Sequence, residues 1–118
     1  MAITINTQSR DFTEVEQYLM TLDRGIKSLK DVEDNTSIAV AGYLTFTDEK
    51  ENGDSADILS IITPDNEVFS CQSATFKRSF DNITTILHGK QFSVIKISGT
   101  TKNGRPYIDC ALDVKSVE

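Results

Sequence analysis

Residues 37–47 constrain the fold more than any other part of the chain. Their apolar side chains alternate along the sequence, which is typical of a strand with one buried face, and these positions are Ile38, Val40, Leu44 and Phe46. Gly42 interrupts the pattern, and a glycine inside a strand usually marks a bulge, a bend or a close contact. A strand bent at Gly42 can pair with different partners along its two halves. A glycine that only relieves a local contact is the alternative.

Four further strands and a helix are predicted after the bent strand. The strands are residues 57–63, 67–71, 91–100 and 106–114, separated by turn signals that include Pro64 and the pair Asn103-Gly104. Residues 74–88 change to a helical period, with one apolar stripe formed by Phe76, Phe80, Ile83 and Leu87. Ser73 is the expected N-cap and Gly89 the expected residue after the helix.

Three strands, a helix and two strands follow one another in the order of the OB-fold, a five-stranded Greek-key barrel. The predicted fold class is therefore mainly β, with the helix plugging one end of the barrel. A ferredoxin-like fold needs a helix between the first two strands, and an immunoglobulin-like sandwich needs about seven strands. We expect one domain over residues 1–118, with an N-terminal helical extension (1–35) and a barrel (36–115).

The N-terminal extension carries its own helix signal. Thr13 and Glu16 have the spacing of a capping box, and Gly25 is expected to end the helix. The apolar residues at helical spacing are Val15, Tyr18, Leu19 and Leu22. This stripe predicts packing on the barrel or on another subunit, which leaves a homo-oligomer open. Residues 2–9 alternate weakly and are expected to form an edge strand or to remain loose.

Composition indicates a cytoplasmic globular protein. The chain has 118 residues, of which 38% are hydrophobic and 25% charged, and it shows neither a signal peptide nor an apolar run of membrane-spanning length. If the protein is encoded by a phage, the compartment is the host cytoplasm. Cys71 and Cys110 have no metal-ligand spacing and are expected to be reduced and buried on strands.

The net charge of −6 is unevenly distributed. Residues 1–35 carry −3, residues 36–75 carry −6 and residues 76–118 carry +3. A binding face responds to its local potential, so the C-terminal third remains compatible with a nucleic-acid partner. The acidic residues 48–54 predict a solvated hairpin tip. Metal binding is the alternative, since the loop has carboxylates, although it lacks the ordered spacing of a calcium loop.

Catalytic signals are weak. His88 is the one histidine, and no nucleophilic triad, phosphate loop or zinc spacing is apparent. We therefore predict no enzymatic activity, no cofactor and no metal site.

A binding surface is the remaining prediction. Single-strand binders combine cations with aromatic platforms on which bases stack. Strand parity places Tyr43 and Tyr107 outward and leaves one of Val68 and Phe69 exposed. The predicted nucleic-acid-binding residues are Tyr43, Phe69, Lys77, Arg78, Lys96, Lys102, Arg105 and Tyr107. The outward faces of the first and last strands are expected to lie near one another.

The stretch from Gly42 to Asp113 resembles the small single-stranded DNA-binding proteins of bacteriophages and mobile elements of Gram-positive bacteria. The residues that carry the resemblance are Gly42-Tyr43-Leu44, the run from Ser73 to Phe80 and the run from Ser98 to Tyr107. The resemblance implies sequence-independent coating of single strands during replication or recombination, with replication proteins as further partners. The alternative is a small phage-type protein that binds and modulates a host protein.

Overall fold

Eight strands form two sheets in the computed structural model, which describes residues 2–117. The strands are β1 (Ala2–Gln8), β2 (Lys27–Ser28), β3 (Ser37–Val40), β4 (Gly42–Glu49), β5 (Ser55–Ile62), β6 (Val68–Cys71), β7 (Phe92–Thr100) and β8 (Pro106–Asp113). The two α-helices of this part of the chain are α1 (Glu14–Thr21) and α2 (Ala74–Leu87). One sheet has the order β1-β4-β5-β6-β2 and the other β3-β7-β8. The mainly β class and the predicted strand–helix order are confirmed.

The bent strand joins the two sheets. Its first half, β3, pairs antiparallel with β7, whereas its second half, β4, pairs with β1 and β5. Gly42 follows the junction at Ala41, and a Cβ atom at Gly42 would lie 2.8 Å from the ring of Phe12. Both sequence interpretations of this glycine therefore hold, because the strand changes sheets here and glycine also admits the Phe12 ring.

The closed barrel expected for an OB-fold is not formed within residues 2–117. Closure requires β6 to pair with β8, but β6 pairs with β5 and, in parallel, with β2. Residues 27–36, here termed the strap, run from β2 through a 3-10 turn (Leu29–Asp31) to β3. Leu29 is fully buried in the core between the sheets. The N-terminal chain thus occupies the seam between β6 and β8.

Helix α2 packs against the core between the sheets, as predicted. Ser73 is its N-cap and accepts a hydrogen bond from the Phe76 amide. Phe76 and Phe80 are buried, and Ile83 is partly buried against the same core. The helix ends one residue before the predicted boundary, since His88 adopts the left-handed conformation with φ of 48°. The predicted stripe of α2 is confirmed.

Helix α1 covers the opposite face of the five-stranded sheet. The predicted capping box of Thr13 and Glu16 is present, but the helix ends at Thr21, before Gly25. Its buried contacts come from Met20 and the preceding Phe12. Leu19 of the predicted apolar stripe is partly buried against this cluster, whereas Val15, Tyr18 and Leu22 are exposed. Packing on the sheet, one of the two predicted alternatives, therefore holds for Leu19 alone. Of the two alternatives predicted for residues 2–9, an edge strand or a loose segment, the edge strand is formed, as β1.

Candidate nucleic-acid interface

A groove of about 530 Å³ opens where the barrel seam is not paired. We term it the seam groove, and its lining residues are Lys30, Gln72, Ser73, Ser98, Pro106, Tyr107 and Ile108. A second depression of about 190 Å³ adjoins it, because Lys30 and Gln72 line both. No carboxylate is among the described residues that line either depression. Lys30 therefore lies at the junction of the two depressions.

Tyr107 presents its ring to the seam groove. It lies opposite Gly99 in the β7–β8 ladder, and a Cβ atom at Gly99 would overlap the tyrosine ring. Glycine at this position therefore admits the tyrosine ring against the neighbouring strand. Tyr107 is 39% exposed, so part of the residue is accessible beside the groove.

The loop between β7 and β8 places two cations next to the groove. Its turn is held by hydrogen bonds from the Thr101 amide to the Arg105 carbonyl (2.9 Å) and from the Gly104 amide to the Thr101 carbonyl (2.9 Å). Lys102 and Arg105 are exposed on this loop. Within residues 2–117, neither they nor Lys30 forms an ion pair. These three cations are therefore free to contact an anionic ligand.

The start of α2 forms another wall of the groove. The Ser73 hydroxyl, besides capping the helix, donates to the Ile108 carbonyl at 3.2 Å and so ties the helix to β8. The first turn contains no acidic residue, and the predicted cations Lys77 and Arg78 are the fourth and fifth residues of the helix. Arg78 is exposed, whereas the Lys77 ammonium donates to the Asp57 carbonyl at 2.9 Å. Arg78 thus extends the basic border more freely than Lys77 does.

Lys96 does not contribute to this surface, which corrects its assignment as a phosphate contact. Only 4% of the residue is exposed. Its ammonium donates to the Val32 carbonyl (2.7 Å) and to the Asp34 carboxylate (3.1 Å). Asp34 also accepts from the Ser98 hydroxyl at 2.6 Å, and the hydrogen bonds from Ser98 and Lys96 lower the pKa of Asp34. Lys96 therefore holds the strap to β7.

Two predicted stacking residues are also partly enclosed by protein. Tyr43 packs edge-on against Phe80, with ring centroids 4.9 Å apart, so the expectation of an outward Tyr43 is wrong. Phe69 is partly buried and Val68 buried, and the Lys27 ammonium lies 5.5 Å from the centre of the Phe69 ring. Neither ring offers an open stacking surface like that of Tyr107.

Tyr43 and Tyr107 belong to separate parts of the molecule. Val40, near Tyr43, lies opposite Phe92 at the start of β7, whereas Tyr107 lies opposite Gly99 near the other end. That separation corresponds to about 23 Å of strand. The expectation that the outward faces of the first and last strands bring these two tyrosines near one another is therefore wrong, because they lie at opposite ends of β7.

Lys30 is the groove residue that sequence reasoning missed. It stands in a charged connector, where a lysine is ordinarily a solvated charge. Only the long-range pairing of β2 with β6 brings this connector to the seam. The sequence does contain one local signal for this packing. Leu29 is apolar within a polar segment, which indicates that the connector packs against the core.

The thiols offer no nucleophile at neutral pH. Cys71 and Cys110 are free and buried, as predicted. Burial raises the pKa of Cys71 to about 11 and that of Cys110 to about 12. Both side chains are therefore protonated thiols, which suits a packing role.

Comparison with protein families, curated proteins and solved structures found no match for the chain. No helix within residues 2–117 is long and apolar enough to cross a membrane. The assignment of function therefore depends on the geometry of the seam groove.

Proposed function

We propose that the protein binds single-stranded DNA without sequence preference, with a base stacked on Tyr107 and phosphates held by Lys30, Lys102 and Arg105. The observation that carries the proposal is an exposed tyrosine in a groove that Lys30 lines, beside the loop that carries the exposed Lys102 and Arg105. Stacking on an aromatic ring tolerates any base, because every base has a π-face. The protein then serves to coat single strands during replication or recombination.

The same proposal relates the fold to the OB-fold. In that fold, the face of the second and third strands and the neighbouring loops usually bind the nucleic acid. The corresponding strands here are β5 and β6, and α1 packs on one face of their sheet through Phe12 and Met20. We therefore propose an open OB-type barrel in which the ligand lies in the seam groove, beside the strap, instead of on that face.

Replacing Tyr107 tests the function directly. Tyr107→Ala is expected to weaken binding of a fluorescent oligothymidine about tenfold, since stacking is worth ~1–3 kcal/mol per base. Tyr107→Phe keeps the ring and is expected to bind like the parent. Tyr18→Ala is the matched control, because Tyr18 is an exposed tyrosine on α1.

Fluorescence anisotropy with duplex DNA and RNA competitors measures these affinities. The proposal fails if the parent prefers duplex DNA, or if Tyr107→Ala and Tyr18→Ala have equal effects. Circular dichroism checks that each variant keeps the parent fold.

A further inference from the structure

Three serines lie side by side across three neighbouring strands of the five-stranded sheet. Ser28 of β2 is paired with Ser70 of β6, and Ser70 is paired in turn with Ser60 of β5. Directly paired residues of adjacent strands point to the same face of a sheet. The three side chains therefore form a row on one face, which we term the serine row.

Ser60 is the member of the row that the fold leaves without a hydrogen bond. The residue is fully buried, and its hydroxyl has no partner among the described residues. Ile58 and Ile62, two positions to either side on β5, pack in the apolar cluster that contains Met20, so an apolar residue would suit this position better. Buried polar groups are almost always hydrogen-bonded, and an unpaired one calls for an explanation such as a bound ion or ligand.

The other two serines line the smaller depression, of about 190 Å³, which they share with Lys30 and Gln72. The Ser28 hydroxyl accepts a hydrogen bond from the Lys30 amide at 3.3 Å, and its own proton remains to donate. Lys30 is exposed, and the neighbouring Asp31 is not among the residues that line the depression. The described lining therefore combines one ammonium group with hydroxyl and amide donors, and it contains no carboxylate.

We propose that the serine row and Lys30 bind a phosphate group. Hydrogen bonds to a charged phosphate oxygen are short and strong, and here Ser28 and Ser70 donate them while Lys30 supplies the opposite charge. The Cβ atoms of an antiparallel pair such as Ser60 and Ser70 are about 4.5–5.5 Å apart, so a rotation about χ1 brings their hydroxyls into contact. Ser60 then donates to the Ser70 oxygen and turns the Ser70 proton towards the ligand, as a positioning residue.

The single strand of the proposed function is the expected source of this phosphate, and to that extent the inference rests on the proposed function. Lys30 and Gln72 line both depressions, so a strand with a base beside Tyr107 continues past them to the serine row. A free phosphate monoester would use the same donors. The two sources share one chemistry and are separated by the choice of probe.

Titration with inorganic phosphate, followed by heteronuclear NMR, tests the site without DNA. The amide signals of Ser28 and Ser70 are expected to shift with phosphate and not with chloride at equal ionic strength. Ser70→Ala is expected to weaken phosphate binding about tenfold, since it removes a hydrogen bond to a charged group. Ser55→Ala is the matched control, because Ser55 is an exposed serine on β5 that does not line the depression.

Ser60→Ala separates a positioning role from a structural one. The variant is expected to weaken phosphate binding while its Tm stays equal to that of the parent or rises, because the change removes an unpaired buried hydroxyl. A serine that only fills space would leave phosphate binding unchanged.

Oligothymidine titrations identify the source of the phosphate. Ser70→Ala is expected to weaken oligothymidine binding about tenfold and to leave the slope of log affinity against log salt unchanged, because a neutral hydroxyl releases no counterion. Lys30→Met is expected to reduce that slope by about 0.7. Weaker binding of inorganic phosphate alone, with oligothymidine binding unchanged, assigns the site to a free phosphate monoester.

The inference is overturned if Ser70→Ala and Ser55→Ala bind both ligands equally well, or if Ser60→Ala binds both like the parent. Its failure is distinguishable from that of the proposed function. Oligothymidine binding that depends on Tyr107 but not on the serines overturns this inference alone. Phosphate shifts that depend on Ser70, in a parent that does not bind oligothymidine, overturn the proposed DNA binding alone.

Discussion

Lys96 is a charged residue whose side chain is buried and stabilises the fold. Its neighbours on β7, Val94 and Phe92, alternate into the core, and Lys96 has the same parity. The ammonium lies inside because the strap brings a carbonyl and a carboxylate to it. A buried cation is tolerated when it is paired and hydrogen-bonded. The residue thus links β7 to a segment more than sixty positions earlier in the sequence.

Lys96→Met is expected to lower the free energy of unfolding by about 1–3 kcal/mol, because the partly buried Val32 carbonyl loses its donor. Methionine keeps the length and the apolar stem of the side chain. Equilibrium urea denaturation measures the change. Lys102→Met is the control, and we expect a change below about 0.5 kcal/mol since Lys102 is exposed. Equal stability of the two variants would contradict the role of Lys96.

Helix α2 is the element that fills the space between the two sheets. Phe80 is 2% exposed and contacts three other rings, with centroid distances of 4.9 Å to Tyr43, 5.8 Å to Phe92 and 6.4 Å to Phe76. These rings belong to both sheets and to the helix itself. Phe80 therefore couples the bent strand, β7 and α2.

Phe80→Ala is expected to destabilise the protein by about 3–5 kcal/mol, through lost burial and the cavity that remains. Ile86→Ala on the exposed side of the same helix is expected to change stability by less than about 0.5 kcal/mol. Thermal and urea denaturation compare the two. A loss below about 1 kcal/mol for Phe80→Ala would show that the cluster rearranges around the missing ring.

For the whole molecule, the charge distribution matters more than the net charge of −6. The exposed cations beside the seam groove come from the strap and from the C-terminal third, whereas the acidic hairpin tip lies between β4 and β5. The strap also carries the exposed Asp31 and Glu33, whereas residues 101–106 carry Lys102 and Arg105 and no acidic residue. The β7–β8 loop is therefore where we expect a positive local potential to attract an anionic strand. Binding is therefore expected to weaken with ionic strength.

Arg105→Ala is expected to reduce the slope of log affinity against log salt by about 0.7, the value for one phosphate contact on a single strand. Oligothymidine titrations over a series of salt concentrations measure the slope. Arg24→Ala is the control, because Arg24 is exposed and is not among the residues that line the groove. Identical slopes in the parent and Arg105→Ala would remove Arg105 from the interface.

The sequence by itself determined the elements whose signals are local. Period-two alternation located the strands, the stripe of Phe76 and Phe80 located α2, and the capping residues Thr13 and Ser73 located both helix starts. These features depend on residues a few positions apart, so their physics is contained in short segments. The bend at Gly42 is also predicted locally, because a glycine inside a strand pattern indicates a change in backbone direction.

The tertiary structure decided which faces are covered. Alternation predicts that Tyr43 and Leu44 lie on opposite faces of β4. It does not predict that both faces are packed: Tyr43 packs against α2, and Leu44 packs in the cluster that includes α1. Likewise, the pairing of β2 with β6 closes a contact across more than forty residues and brings Lys30 to the seam. Such contacts depend on the burial gained by distant segments together. No local pattern encodes them, and they decide whether Tyr107 or Tyr43 is the open ring.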